Sequence, residues 1–95
     1  MITSKQRSIL RAMANDFSSI IHIGKEGITN EVLKQIDDAL EARELIKISL
    51  EKNSDISPKD AIKSICETLN AEPVQVIGRK IVVFRQSKTK PRIQI

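Results

Sequence analysis

Between Ile20 and Thr29 the chain passes from an apolar run to a helix start through a loop bounded by two glycines. The segment reads Ile20-Ile21-His22-Ile23, then Gly24-Lys25-Glu26-Gly27, then Ile28-Thr29. The isoleucine run suits a strand, and Thr29 suits the cap of a helix. Glycines at both ends of the loop permit backbone angles that side chains resist, and they allow close approach to the main chain. The first N–H groups of the following helix have no intrahelical partner and carry partial positive charge. A strand–turn–helix junction of this kind can seat a phosphate. It can equally be a structural turn, and the loop alone does not separate the two readings.

The remaining elements follow from periodicity. Thr3-Ser4-Lys5-Gln6 has the spacing of a capping box. Ile9, Leu10, Met13, Ala14 and Phe17 then recur at helical intervals, predicting an amphipathic helix over residues 4–15. Residues 19–23 are expected to form the first strand. Thr29, followed by Val32, Leu33, Ile36, Ala39 and Leu40, predicts a second helix to about Ala42. In Leu45-Ile46-Lys47-Ile48-Ser49-Leu50 the alternation turns Ile46, Ile48 and Leu50 inward and Lys47 and Ser49 outward, as in a half-buried strand. After the polar stretch from Glu51, Ser57-Pro58-Lys59-Asp60 opens a third helix, with a hydroxyl cap and proline at the first helical position. Ile62, Ile65, Cys66 and Leu69 form its buried stripe. Val74–Ile77 and Lys80–Arg85 are two strands joined by Gly78-Arg79, which suits a two-residue II′ turn. The order α-β-α-β-α-β-β predicts an α/β two-layer sandwich on a mixed four-stranded sheet. Helices two and three share one face, and the other face is partly open to water. One domain is expected over residues 1–86, with a short, mobile basic tail over 87–95.

Charge is unevenly distributed. The 95 residues carry a net charge of +4, with 40% hydrophobic and 29% charged side chains. Arg79, Lys80, Arg85, Lys88, Lys90 and Arg92 fall after residue 77 with no acid among them, whereas the first 77 residues hold more acids than bases. A one-sided basic region points to a polyanion, nucleic acid ahead of membrane, unless it serves only solubility. Phe17 and Phe84 are the whole aromatic complement, so recognition by base stacking on a sheet is not expected. No apolar run approaches a membrane span. The first five residues lack the apolar core of a secretory signal, and a lone cysteine, Cys66, fits a reducing cytoplasm.

Catalytic chemistry finds little support. His22 lies between isoleucines with no metal-ligand partner nearby, and Cys66 falls on a buried stripe where a thiol packs as a small hydrophobe. Asp37 and Asp38 diverge by about 100° around their helix and are expected to be solvated. No nucleophile, base and orienting group converge, so neither an enzyme nor a cofactor is expected.

Taken together, Ile23-Gly24-Lys25-Glu26-Gly27-Ile28-Thr29, the Glu44–Ile48 strand, Val76-Ile77-Gly78-Arg79, and Lys5-Gln6-Arg7 with Leu10-Arg11 resemble the YhbY/CRM-domain family from about Ser4 to Arg85. The resemblance implies a small RNA-binding domain with the fold of the C-terminal domain of translation initiation factor three. Stand-alone bacterial members are associated with precursors of the large (50S) ribosomal subunit, and plant relatives carry the domain in splicing factors. It implies Gly24 and Gly27 as loop hinges and Lys25 as a phosphate contact. Glu26 departs from what an RNA-facing loop prefers, since a carboxylate repels phosphate. It either weakens binding or points away.

The expected mechanism is phosphate seating on the Gly24–Gly27 loop, with charge from Lys25 and the Lys5, Arg7 and Arg11 side of helix one. Arg79, Lys80, Arg85, Lys88 and Lys90 widen the footprint. The expected partner is ribosomal RNA in pre-50S particles, bound by a cytoplasmic monomer. Two other readings stay open: a DNA-coating protein of similar fold, and a module whose open sheet face, including Lys47, docks a ribosomal protein.

Overall fold

Thr3 begins the first element as anticipated. Its hydroxyl accepts the Gln6 N–H, and the Gln6 side chain accepts the Thr3 N–H, closing a capping box in front of helix α1, Ser4–Ala14. The computed structural model describes residues 2–95. Beyond α1 it contains β1 (Ile21–Ile23), α2 (Asn30–Arg43), β2 (Leu45–Leu50), α3 (Pro58–Leu69), β3 (Glu72–Ile77) and β4 (Lys80–Phe84). The order is the one periodicity predicts.

The four strands form one mixed sheet in the order β1-β2-β4-β3. β1 runs parallel to β2, with Ile21 opposite Ile48, and β4 runs antiparallel to both its neighbours. Strand β1 is shorter than expected, although Ile20 still donates its N–H to the Lys47 carbonyl at 3.0 Å. Pro73 sits in β3, an edge strand where its missing N–H is tolerated, and the register shifts between Pro73 and Gln75. Gly78 adopts φ +56 and Arg79 keeps a negative φ, the combination a II′ hairpin turn uses.

Apolar side chains leave the sheet on both faces. Ile21, Ile23, Ile46, Ile48, Leu50, Ile81 and Val83 meet Ile36 and Leu40 of α2 and Ala61, Ile62 and Ile65 of α3. On the other face Leu45, Val74, Val82 and Phe84 are covered by Leu10 and Ala14 of α1. This second face is only part covered. By strand alternation His22, Lys47, Ser49 and Lys80 lie on it, beyond the apolar patch that α1 covers. His22 and Ser49 pair there across β1 and β2. Helix α1 buries less than its apolar stripe suggests: Ile9, Met13 and Phe17 remain 42, 41 and 40% exposed. The helix lies across a narrow apolar strip that only Leu10 and Ala14 can reach, and it ends before Phe17.

The expectation of a mobile tail is overturned. Two acids near the end of α2 hold it down. Glu44 accepts the N–H groups of Ser87 at 2.7 Å, Arg92 at 2.8 Å and Ile93 at 2.7 Å. Glu41 accepts the Ser87 hydroxyl, the Lys88 N–H at 3.0 Å and the Thr89 hydroxyl at 2.9 Å. The Arg92 guanidinium reaches the Ala42 carbonyl at 2.9 Å. A tail read as charge alone is in fact a set of backbone donors matched to carboxylates.

These contacts carry a pH signature. Hydrogen bonds from Ser87, Lys88 and Thr89 lower the Glu41 carboxyl from its usual 4.5 to about 2. Burial alone would raise Glu44, but its three N–H donors and the Arg92 charge outweigh burial and lower it too. Groups with depressed folded values stabilise above the unfolded value and lose that contribution as pH falls through the folded one. Amide protection at Lys88 and Thr89, which bond Glu41, is therefore expected to fall between pH 4.5 and about 2, and protection at Ser87, Arg92 and Ile93, which bond Glu44, to fall as pH drops below 4.5, in both cases ahead of amides in β2 and β4. Loss of protection in step with the core would contradict the tether.

Candidate nucleic-acid interface

The glycine loop follows β1 directly. Ile23 ends the strand by accepting the Glu51 N–H at 2.9 Å, and the Gly27 N–H closes the turn on the Gly24 carbonyl at 3.0 Å. Thr29 caps α2, its hydroxyl accepting the Val32 N–H at 3.1 Å. The two glycines differ in what they require. Gly27 holds φ +75, where a side chain is strained. Gly24 lies outside that region, and a Cβ there would meet only the Glu51 carboxylate, at ordinary contact distance of 3.8 Å. The left-handed hinge of the loop is Gly27 alone.

The loop forms one side of an open cleft of about 390 Å³ at the start of α2. Lys25 lines it, and so do Glu26, Glu31 and Glu51. Lys25 and Glu26 are both exposed. The helix N-terminus therefore favours an anion in a cleft whose charged side chains are mostly acidic.

The other expected basic residues divide into two groups. Lys25, Lys80, Lys88, Lys90, Lys5 and Arg11 are exposed, and none joins an ion pair among the described residues, where the pairs are Lys34–Asp38 at 3.6 Å and Arg85–Asp37 at 2.6 Å. Arg7, Arg79 and Arg85 have internal work. Arg7 donates from Nε to the Pro73 carbonyl at 3.0 Å. Arg79 donates from Nε to the Leu50 carbonyl at 3.3 Å and from Nη2 to the Glu51 carbonyl, bracing the end of β2 beside the glycine loop.

Arg85 corrects the sequence reading most clearly. Its side chain is only 11% exposed and bonds the Asp37 carboxylate, the Asp37 carbonyl at 3.2 Å and the Leu69 carbonyl at 3.1 Å. It joins β4 to α2 and to the end of α3 rather than facing a ligand. Asp37, expected to be solvated, is its partner.

Topology also separates sites that the sequence suggested could meet. Helix α1 packs on β2, β4 and β3, and Arg7 points to edge strand β3, whereas the glycine loop belongs to β1 at the opposite edge. Arg7 is thus not adjacent to the loop. Two cations outside the expected set take a more prominent place. Lys47 lies on the open sheet face, and Arg43, in the last turn of α2, is exposed. The strand alternation that turned Lys47 outward was the available sign for it; Arg43 had none.

Cys66 is part buried, and burial, reinforced by the nearby Glu72 charge, pushes its thiol up to about 11. Such a thiol stays protonated near neutrality and is a poor nucleophile. No group of His, Cys, Asp and Glu able to hold a metal ion occurs among the described residues, and no helix among them is long and apolar enough to cross a membrane.

With this geometry in place, comparison with known proteins gives consistent matches. A family model for the CRS1/YhbY (CRM) domain matches residues 2–85. The chain is 37% identical over 95 residues to the Bacillus subtilis protein named probable RNA-binding protein YqeI, covering 100% of this chain and 99% of that one. It is 30% identical over 94 residues to a Haemophilus influenzae protein named RNA-binding protein, covering 99% and 94%. The solution structure of a Staphylococcus aureus protein, described as a candidate RNA-binding protein, superposes with a TM-score of 0.75 at 43% identity, covering 100% of this chain and 99% of that one.

Proposed function

The chain belongs to the CRS1/YhbY (CRM) domain family, and from that premise we propose that it is a non-catalytic RNA-binding protein acting on structured ribosomal RNA during assembly of the large subunit. The observation that carries the reading is the free positive charge. Among the described residues only Lys34 and Arg85 enter ion pairs, so Lys25, Arg43, Lys47, Lys80, Lys88 and Lys90 are available to phosphates. In this mechanism Lys47 and Lys80, on the open sheet face, and the pinned tail supply a sequence-independent footprint. The glycine loop adds a phosphate contact through Lys25 and the N-terminus of α2. The acids of the loop cleft restrict that contact to the rim. The protein acts as a cytoplasmic monomer.

Binding to a ribosomal RNA fragment is expected to weaken steeply with salt, as counterion release requires. Gly24 has steric room for a side chain, so the double variant Gly24→Asp, Lys25→Ala should fold and yet bind roughly tenfold more weakly at moderate salt. Unchanged affinity would remove the loop from the mechanism. Crosslinking in cells tests the target: the reading expects attached RNA to map to large-subunit precursors, and even coverage of messenger RNA would refute it. Competition with duplex DNA separates an RNA reader from a general coating protein.

A further inference from the structure

A groove opens where the α1–β1 connection crosses the start of β2. Phe17, Ile20 and Leu45 line it, with Arg43 and Lys47, and its volume is about 470 Å³, inside the roughly 300–1,000 Å³ range of small-ligand sites. Phe17 keeps 40% of its surface exposed although it is one of only two aromatic residues in the chain. Its segment is held in place, because the Ile20 N–H bonds the Lys47 carbonyl at 3.0 Å. No acid lines the groove, and neither Arg43 nor Lys47 joins an ion pair among the described residues.

An exposed ring over an apolar floor with free cations at the rim matches one ligand chemistry well. We propose that this groove receives a single unstacked nucleobase of bound RNA, with Phe17 as its stacking surface and Arg43 and Lys47 on the flanking phosphates. A purely apolar peptide would fill the floor and leave both cations without partners; a nucleotide satisfies both features. The proposal rests on the RNA-binding reading and adds to it a site that reads an unpaired nucleotide. Ile20 and Gly24 lie at the two ends of β1, about 13 Å apart for extended chain. A single strand leaving the groove along the open face, past Lys47 and His22, would therefore lead toward the glycine loop.

The test uses two RNA hairpins with the same stem, one with an adenine-rich loop and one whose loop carries abasic sugars. The intact chain is expected to prefer the base-bearing loop by roughly tenfold, and Phe17→Leu, which keeps an apolar side chain at a part-exposed position, should erase that preference. Amide shifts at Phe17 and Ile20 should accompany only the base-bearing RNA. Equal affinity for both hairpins would overturn the nucleobase site while leaving phosphate-based RNA binding intact. A preference that survives Phe17→Leu would place the base elsewhere and overturn the proposal. Binding of neither RNA, with shifts at Phe17 and Ile20 on adding an apolar ribosomal-protein peptide, would overturn this proposal and the RNA reading together.

Discussion

Glu44→Ala is expected to destabilise the protein by about 3 kcal/mol, because it leaves one buried and two part-buried N–H groups without an acceptor. Glu44 is fully buried and ends α2 with its own N–H on the Leu40 carbonyl at 2.8 Å. Its carboxylate then collects the N–H groups of Ser87, Arg92 and Ile93. Hydrogen bonds to a charged group contribute about 1.5–3 kcal/mol each when a partner is lost, and the total is less than a sum because the freed tail can hydrate. The backbone of Glu44 sits at φ +68, a conformation that disfavours any side chain. Glu44→Gly relieves that strain while losing the same bonds, so it should destabilise less than Glu44→Ala. Urea unfolding of both variants checks the size and the order. A loss below about 1 kcal/mol for Glu44→Ala would show that the tail is not held through this carboxylate, and a Gly variant less stable than the Ala variant would show that the positive φ of Glu44 carries no strain.

Arg85→Ala should cost about 2 kcal/mol of stability and leave RNA affinity within about twofold for the folded fraction. A buried pair broken from one side costs about 3–5 kcal/mol, but Asp37 is 50% exposed and can hydrate, which reduces the loss. The Leu69 and Asp37 carbonyls also lose a donor. Thermal unfolding measures the first quantity, and titration with a ribosomal RNA fragment well below the melting temperature measures the second. A stable variant with weakened RNA binding would return Arg85 to the basic surface that the sequence suggested.

The contrast between these arginines and lysines shows what one-dimensional reading can reach. Charge position is legible in the sequence, but charge availability is not. Arg79 and Arg85 stand in the same basic stretch as Lys80 and Lys88. The planar guanidinium of each arginine finds carbonyls and, for Arg85, a carboxylate that arrive from distant parts of the chain. Spacing alone places Phe17 on the α1 stripe. The helix stops at Ala14, because the apolar strip it can cover ends there. No local pattern marks Glu44 as a tether: an acid between a helix and a strand is an ordinary solvated residue until a tail from across the domain supplies its donors.

Local rules settled the elements themselves. The capping box at Thr3 and Gln6, the caps at Thr29 and Ser57, the alternation from Leu45 to Leu50 and the Gly78-Arg79 turn all act over a few residues. Residue pattern therefore suffices for the α-β-α-β-α-β-β order and the glycine loop ahead of α2. Which cations remain free, the left-handed turn at Gly27 rather than Gly24, the acids of the loop cleft and the fastening of the tail to α2 all emerge from three-dimensional packing. Each of these depends on pairing between groups far apart in the chain, and such pairing is set by the register of the sheet and the packing of the helices rather than by any local pattern.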